Sequence, residues 1–174
     1  MEKARVYWFF GLSGSGKSTV ADAFALRLND FGQHVFRLDG DELRKGVNKD
    51  LGFSQEDRME NVRRAAEMAQ LALTQGFTVV ASFISPEEIH REKVRSVLGE
   101  YVEMIFVDAS IDTCRTRDVK GLYQQVEKGN IKEFTGVSAP FEMPNMEELR
   151  ISTDGTTVEH CVNVLWEKLI VSRK

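Results

Sequence analysis

The sequence predicts an α/β fold in which helices cover both faces of a parallel five-stranded sheet. Two observations lead to this prediction. Short apolar segments alternate along the 174-residue chain with longer segments of helical periodicity, and glycines or polar turns separate the two kinds. Strands separated by helices usually pair in parallel through right-handed crossovers, so the pattern favours one layered sheet. The length allows one sizeable core, and we expect a single domain over residues 1–174.

The first half of the chain alternates strand and helix twice. Residues 5–10 are an apolar and aromatic run typical of a buried strand, and 17–31 repeats apolar side chains at helical spacing. Residues 34–38 predict the second strand. Ser54 and Asp57 then resemble a capping box, which indicates the beginning of a long helix.

The second half continues this alternation around one irregular segment. We expect strands at 77–83, 102–107 and 149–153, and helices at 86–98, from about 110 and at 156–171. Residues 119–146 lose the periodicity and gain glycines and prolines. Long irregular segments in compact domains are usually functional or disordered, and the basic and aromatic content of this one favours a lid over the active site.

Charge and cysteine content argue against several classes of function. The formal net charge is −4, so long-range attraction to nucleic acid or to an anionic membrane is not expected. Cys114 and Cys161 are too far apart in the sequence for a metal-binding or redox spacing. The chain begins without an apolar signal segment and has no apolar run of membrane-spanning length. We therefore expect a cytoplasmic protein.

Residues 11–18, GLSGSGKS, match the phosphate-binding pattern G-x-x-x-x-G-K-[ST] between a predicted strand and a predicted helix. Glycines let backbone N–H groups surround phosphate oxygens, Lys17 reaches the β- and γ-phosphates, and Ser18 binds Mg²⁺. A Gly/Ser-rich turn is the alternative, but such a match rarely arises by chance. The predicted phosphate-binding residues are Gly11, Ser13, Gly14, Ser15, Gly16, Lys17, Ser18 and Thr19.

The identity of the nucleotide depends on a second motif. Guanine-binding switch proteins carry an Asn-Lys-x-Asp run late in the sheet. Residues 48–51, NKDL, are the nearest approach, but they lack the final Asp and occur too early. The sequence therefore favours ATP over GTP.

Two acidic residues, Asp39 and Asp41, follow the second predicted strand, at the edge of the sheet where α/β folds bind ligands. Asp39 could hold Mg²⁺ through water and orient an acceptor hydroxyl, with Asp41 beside it. The alternative is that one of them caps a helix beginning at Glu42. Asp108, after the fourth strand, is a weaker candidate for the metal and equally suits a turn.

Six basic residues crowd the segment after Asp41 although the chain is acidic: Arg44, Lys45, Lys49, Arg58, Arg63 and Arg64. Arg58 and Asn61 are i,i+3 neighbours on a helix, and Phe53 could stack on a base. Such a set suits a second nucleotide. A solvated basic face, paired with Glu56, Asp57 and Glu60, is the alternative.

Four separated motifs resemble the adenylylsulfate kinase family over nearly the whole chain. They are LDGDELRKGVNKDLGFSQEDRMENVRR at 38–64, FISP at 83–86, RDVKGLY at 117–123 and EFTGVSAPFEMP at 133–144. The resemblance implies a P-loop NTPase with an adenylate-kinase-like sheet. It also implies transfer of the ATP γ-phosphoryl group to the 3′-hydroxyl of adenosine 5′-phosphosulfate.

Roles within the site also follow from the resemblance. Lys17, Asp39 and Asp41 would be catalytic, Mg²⁺ would bind at Ser18 and Asp39, and Arg117 would lie beside the ATP base. The implied acceptor residues are Asp39, Arg44, Phe53, Arg58, Asn61, Ile84, Ser85, Lys120, Leu122 and Phe134. Within that set, arginines and Asn61 would hold the phosphosulfate, and the two phenylalanines would enclose the adenine.

Ser85 has two alternative roles in the predicted site. The serine that matches Ser85 has been proposed as a phosphoenzyme intermediate in the family, but we favour a helix N-cap or binding role. Phe10 stands where relatives often have Thr, and 87–88 is Glu-Glu instead of Tyr-Arg.

Two alternative functions are a kinase for another acidic nucleotide and a noncatalytic ATP sensor. A homodimer is left open.

Overall fold

Five parallel strands form the centre of the structure, a computed structural model that describes residues 4–145 and 148–172. The strands are β1 (Val6–Phe10), β2 (Val35–Asp39), β3 (Thr78–Phe83), β4 (Val102–Asp108) and β5 (Leu149–Ser152). They pair in the order β2-β3-β1-β4-β5, which places β1 in the middle. The predicted parallel five-stranded sheet is confirmed, with strand bounds that differ from the expected ones by no more than one residue.

In the described part of the chain, seven α-helices connect and follow the strands. They are α1 (Lys17–Asp30), α2 (Gly40–Lys45), α3 (Gln55–Thr74), α4 (Glu88–Leu98), α5 (Ile111–Arg117), α6 (Leu122–Glu127) and α7 (Val158–Trp166). A π-type turn over Glu167–Val171 continues the last helix. The Ser54 hydroxyl accepts a hydrogen bond from the Asp57 backbone N–H at 3.1 Å, so the predicted beginning of α3 is confirmed.

The sheet separates two apolar layers. Val6, Trp8 and Phe10 of β1 face the layer that contains the buried residues of α3 and α4. Tyr7 and Phe9 face the opposite layer, with α1 and α7. Because both faces of β1 are covered, its side chains alternate in direction yet are all buried, and the strand is apolar throughout.

The predicted lid, 119–146, is more ordered than its sequence pattern indicates. It contains α6 and a small apolar cluster in which Phe134 lies edge-on to Tyr123, with ring centroids 4.9 Å apart. The last residue of the predicted lid, Met146, lies outside the described residues. No helix in the described part of the chain is long and apolar enough to cross a membrane.

Candidate functional site

The predicted phosphate loop joins β1 to α1, and two of its glycines are required by their surroundings. Gly11 has φ 152°, and a Cβ there would lie 2.4 Å from the carbonyl oxygen of Val107. Gly14 has φ 79°, and its Cβ would lie 2.8 Å from the Cys114 carbonyl. Any side chain at either position would therefore collide with backbone. The motif has the geometry of a P-loop.

A first cavity of about 400 Å³ opens over this loop. Its lining includes most of the predicted nucleotide residues, namely Ser13, Gly14, Gly16, Lys17, Ser18, Thr19 and Arg117. Gly11 and Ser15 do not line it. The hydroxyl of Ser15 is buried, and among the described residues it has no hydrogen-bond partner. We refer to this space as the first cavity.

Lys17 lies at the loop with its ammonium folded back on it. Its Nζ donates to the carbonyl of Leu12 at 3.1 Å. Burial, followed by repulsion from Lys120, lowers the pKa of Lys17 to about 8. The charge of this residue therefore changes close to neutral pH before any phosphate is bound.

Asp39 joins the loop to the end of β2. Its Oδ2 accepts hydrogen bonds from Ser18 Oγ at 2.9 Å and from Ser82 Oγ at 2.6 Å. Burial raises its pKa, but these hydrogen bonds and those from the backbone of α2 outweigh burial, and the net pKa is lowered. Asp39 is thus held as a carboxylate beside the P-loop serine.

The same residue also caps a helix. Asp39 Oδ1 accepts from the backbone N–H of Asp41 at 2.9 Å, and α2 begins at Gly40, two residues earlier than expected. The helix cap is therefore confirmed for Asp39, and its other carboxylate oxygen faces Ser18, so the site role stays a prediction that the cap does not prevent. Asp41 itself forms an ion pair with Lys120 of the lid.

Arg117 supports the P-loop through a residue that the sequence analysis missed. Its NH1 donates to Thr153 Oγ1 at 3.0 Å, and its NH2 donates to the Thr153 carbonyl at 2.7 Å. Thr153 in turn donates to the carbonyl of Ser15 at 2.7 Å. A place beside the ATP base stays a prediction for Arg117.

Tyr123 and Ser82 were missed as well. The Tyr123 hydroxyl donates to the Ser13 carbonyl at 2.9 Å, which ties the lid to the loop. Ser82 is paired in register with Asp39, so both side chains come to one edge of the sheet. The only sequence signal for Ser82 was a polar residue near the carboxyl end of an apolar strand.

A second cavity of about 410 Å³ lies at the beginning of α3. Phe53, Arg58, Pro86, Glu87 and Thr135 are among its lining residues. The basic segment and the lid therefore contribute to one pocket, as expected for an acceptor site.

Arg58 spans this cavity with three hydrogen bonds. It donates to the carbonyls of Phe53 at 2.9 Å and Glu133 at 3.0 Å, and to Thr135 Oγ1 at 3.2 Å. Its guanidinium lies 5.8 Å from the Phe53 ring centroid, and that of Arg44 lies 4.5 Å from it. Burial, and then repulsion from Arg58, lower the pKa of Arg44.

The basic segment divides into two kinds of residue. Lys45, Arg63 and Arg64 form ion pairs with neighbouring acidic side chains, so the solvated basic face describes them. Arg44 and Arg58 form no ion pair within the described residues and hydrogen-bond to carbonyls instead. Their charges remain available to an anionic ligand.

Not all predicted acceptor residues come together. Phe53 is 63% exposed at the second cavity, whereas Phe134 is 8% exposed in the lid cluster. No ring contact joins these two side chains in the described chain. Asn61 is 7% exposed, and its Oδ1 accepts from Asn48 Nδ2 at 2.9 Å. Enclosure of an adenine by the two rings stays a prediction for the bound state.

Three further predicted acceptor residues do not line the second cavity. Lys120 lines the first cavity, Leu122 packs against the lid cluster, and the Ile84 carbonyl accepts from the Gly11 N–H at 3.3 Å. Their contact with an acceptor stays a prediction.

Of the two roles favoured for Ser85, the helix cap is wrong, and the binding role stays a prediction. Helix α4 begins at Glu88, and its N-cap residue is Glu87. Ser85 is buried, and its Oγ accepts from the indole N–H of Trp8 at 3.1 Å. Because β1 and β3 are neighbouring strands, the Ser85 hydroxyl lies beside Trp8 and bonds to its indole instead of capping a helix.

Asp108, the weaker candidate for the metal, ends β4 but is already paired. Its Oδ2 accepts from Arg150 NH2 at 2.6 Å and from Nε at 3.0 Å. The geometry thus favours Asp39 over Asp108 as the carboxylate that can approach the P-loop serine.

Comparison with known proteins agrees with this geometry. The sequence profile of the family described as adenylylsulphate kinase matches residues 3–152. An adenylyl-sulfate kinase of Clostridium kluyveri is 45% identical over 162 residues, which cover 93% of this chain and 81% of that protein. One of Paraburkholderia xenovorans is 48% identical over 168 residues, which cover 97% of this chain and 94% of that protein.

A solved structure is similar over the same length. The APS kinase CysC of Mycobacterium tuberculosis, in complex with AMPPNP and APS, superimposes with a TM-score of 0.92 at 38% identity. The match covers 97% of this chain and 99% of that one. With the family profile matched over most of its length and relatives at this level of identity, this chain belongs to the adenylylsulphate kinase family.

Proposed function

We propose that the chain transfers the γ-phosphoryl group of ATP to the ribose 3′-hydroxyl of adenosine 5′-phosphosulfate, giving 3′-phosphoadenylylsulfate and ADP. The observation that carries the proposal is the position of α2 between the two cavities. Asp39 at its beginning contacts Ser18 of the P-loop, and Arg44 near its end lies over Phe53 of the second cavity. Six helical residues span about 9 Å, so a donor and an acceptor nucleotide could meet across this helix.

The donor would bind with its phosphates on the P-loop. Backbone N–H groups and the beginning of α1 favour the negative phosphates, and Lys17 neutralises charge that develops on the transferred group. The hydroxyl oxygen attacks the γ-phosphorus as the bond to the β–γ bridging oxygen breaks, ADP leaves, and the hydroxyl proton passes to Asp39 and then to solvent. Such a transfer needs positioning more than covalent help from the protein.

Asp39 would orient the attacking hydroxyl. Its lowered pKa makes it a hydrogen-bond acceptor over the whole physiological pH range and a weak base. The ion pair of Asp41 with Lys120 would add a negative charge from α2 and a positive charge from the lid at the same edge of the sheet.

Magnesium fits the residues at this edge. Ser18 Oγ and Asp39 Oδ2 are oxygen donors 2.9 Å apart, and Mg²⁺ usually takes few protein ligands and completes its shell with phosphate oxygens and water. When bound, the ion would neutralise charge on the β- and γ-phosphates.

The second cavity would receive the phosphosulfate nucleotide. Arg44 and Arg58 supply two cations that form no ion pair with the described residues, which suits a ligand with two linked anionic groups. Both thiols are buried and unpaired, which fits a reducing compartment such as the cytoplasm. A homodimer stays a prediction.

A kinase for another acidic nucleotide is the second candidate. Glu56 and Glu87 also line the second cavity, and their charges would favour a nucleotide with less negative charge than adenosine 5′-phosphosulfate. A coupled assay of ADP release with ATP and a panel of nucleotide acceptors tests both candidates. Turnover with adenosine 5′-phosphosulfate supports the proposal, turnover with another nucleotide alone supports the second candidate, and ATP binding without turnover supports a sensor.

A further inference from the structure

The segment 84–86, which we call the bridge segment, lies between the P-loop and the second cavity. The carbonyl of its first residue, Ile84, accepts a hydrogen bond from the backbone N–H of Gly11 at 3.3 Å. Its last, Pro86, lines the second cavity. A displacement of the bridge segment would therefore alter the position of an acceptor relative to the P-loop.

The middle of the bridge segment has an unfavourable backbone conformation. Ser85 has φ 41°, a left-handed backbone conformation that residues with side chains rarely adopt. A residue with a side chain keeps such a conformation only where its surroundings restrain it. One restraint is the hydrogen bond from the buried Trp8 indole to Ser85 Oγ at 3.1 Å.

Arg91 supplies the other restraint. Its NH1 donates to the carbonyls of Ser85 at 3.1 Å and Pro86 at 3.3 Å. Its Nε donates to Glu88 Oε2 at 2.9 Å, and its guanidinium lies 5.2 Å from the ring centroid of Phe10. The whole residue is buried. A buried guanidinium that is fixed by a carboxylate and an aromatic ring presents its remaining N–H groups in a fixed direction.

We propose that Arg91 is a positioning residue for phosphoryl transfer. It holds the carbonyls of Ser85 and Pro86 and so sets the place of the acceptor relative to the P-loop. Arg91 lines neither of the two cavities, so its action on the reaction passes through the bridge segment. The inference rests on the proposed function, because it requires two ligands that meet beside this segment.

The test uses Trp8 as a reporter. The chain has two tryptophans, and Trp166→Phe leaves Trp8, whose indole is bonded to the bridge segment, as the single one. In that parent, Arg91→Lys keeps the charge but loses the fork that reaches two carbonyls. We expect kcat to fall by about tenfold or more, since small displacements cost that much in positioned reactions. The Kd of a nonhydrolysable ATP analogue should stay within about twofold, and the Trp8 emission spectrum should change.

Arg95→Lys is the matched control. Arg95 also pairs with Glu88 but hydrogen-bonds to neither Ser85 nor Pro86 in the described chain. Its kcat and the Trp8 emission should remain those of the parent. If both lysine variants lose kcat equally, the loss belongs to the Glu88 network and the positioning role is overturned.

Other outcomes are equally decisive. Unchanged kcat in Arg91→Lys, or an equal loss of ATP binding, overturns the proposal. If Arg91→Lys does not fold, Arg91→Gln replaces it, since the shorter amide side chain removes the hydrogen bonds to both carbonyls without leaving a buried charge. The same loss of kcat is expected, and unchanged kcat overturns the proposal. If the parent does not phosphorylate adenosine 5′-phosphosulfate, the proposed function fails, but unchanged Trp8 emission in Arg91→Lys would still refute the contact.

Discussion

The hydroxyl of Ser18 lies 2.9 Å from Oδ2 of Asp39, and this contact joins the P-loop to the carboxyl end of β2. Ser82 donates to the same oxygen at 2.6 Å, while Asp39 Oδ1 caps α2. One carboxylate thus connects the loop, two neighbouring strands and a helix. Because different oxygens contact the serines and cap α2, a mutation can remove the charge of Asp39 and keep the helix cap.

Asp39→Asn should fold normally but lose kcat by on the order of 10² or more, the effect typical of losing one preorganised charge contact. Asn caps helices as well as Asp does, so thermal stability should change little. Steady-state rates and the Mg²⁺ concentration for half-maximal rate measure the effect. Asp108→Asn is the control, because Asp108 pairs with Arg150. An equal loss of kcat in Asp108→Asn would instead indicate a metal site at the end of β4.

Lys17→Ala should keep the fold and lose turnover by on the order of 10² or more, because the charge on the transferred group is then no longer neutralised. Single-turnover rates with circular dichroism as a folding check measure this. Near-normal turnover would refute the assignment of Lys17.

Nucleotide affinity should depend on pH through Lys17. Its pKa is lowered to about 8, and the protonated form is the one that attracts phosphate. Affinity for an ATP analogue should therefore be constant below pH 8 and decrease above it, by up to about tenfold per pH unit. Titration calorimetry from pH 6.5 to about 9.5 measures it. In Lys17→Arg the affinity should not change with pH, since arginine stays protonated; the same decrease there would assign it to another group.

Arg58→Ala should raise KM for adenosine 5′-phosphosulfate while the Kd of ATP stays nearly unchanged. A charge-assisted contact contributes roughly 1.5–3 kcal/mol, which corresponds to a 10- to 100-fold increase. Arg63→Ala is the control on the same helix, because its side chain is exposed and paired with Glu60. An equal effect of Arg58→Ala on both substrates would mean that the second cavity is not the acceptor site.

Ser85→Ala should lower kcat by no more than about threefold, because direct in-line transfer needs no covalent intermediate. The backbone would stay in place through the bonds from Arg91 to its carbonyl. Rapid-quench kinetics give the rate of the chemical step. A loss of several orders of magnitude would instead support an obligatory phosphoserine.

The sequence alone determined the parts of this protein that depend on neighbouring residues. The alternation of strands and helices is a local periodicity, and it predicted the bounds of the five strands to within one residue. The P-loop is contiguous, so GLSGSGKS could be recognised without a fold. The cap at Ser54 depends on a residue three positions away, and it was also found.

The tertiary structure decided which distant side chains meet. Ser82 reaches Asp39 across 43 positions and Thr153 reaches Ser15 across 138, through strand pairing that no local pattern encodes. The buried partner of Ser85 is Trp8, 77 positions away, which is why the local prediction of a helix cap failed. Parallel sheets bring the carboxyl ends of distant strands to one edge, so the residues of the candidate site meet only once the strands have paired in register. The P-loop, in contrast, consists of contiguous residues, so the sequence alone defines it.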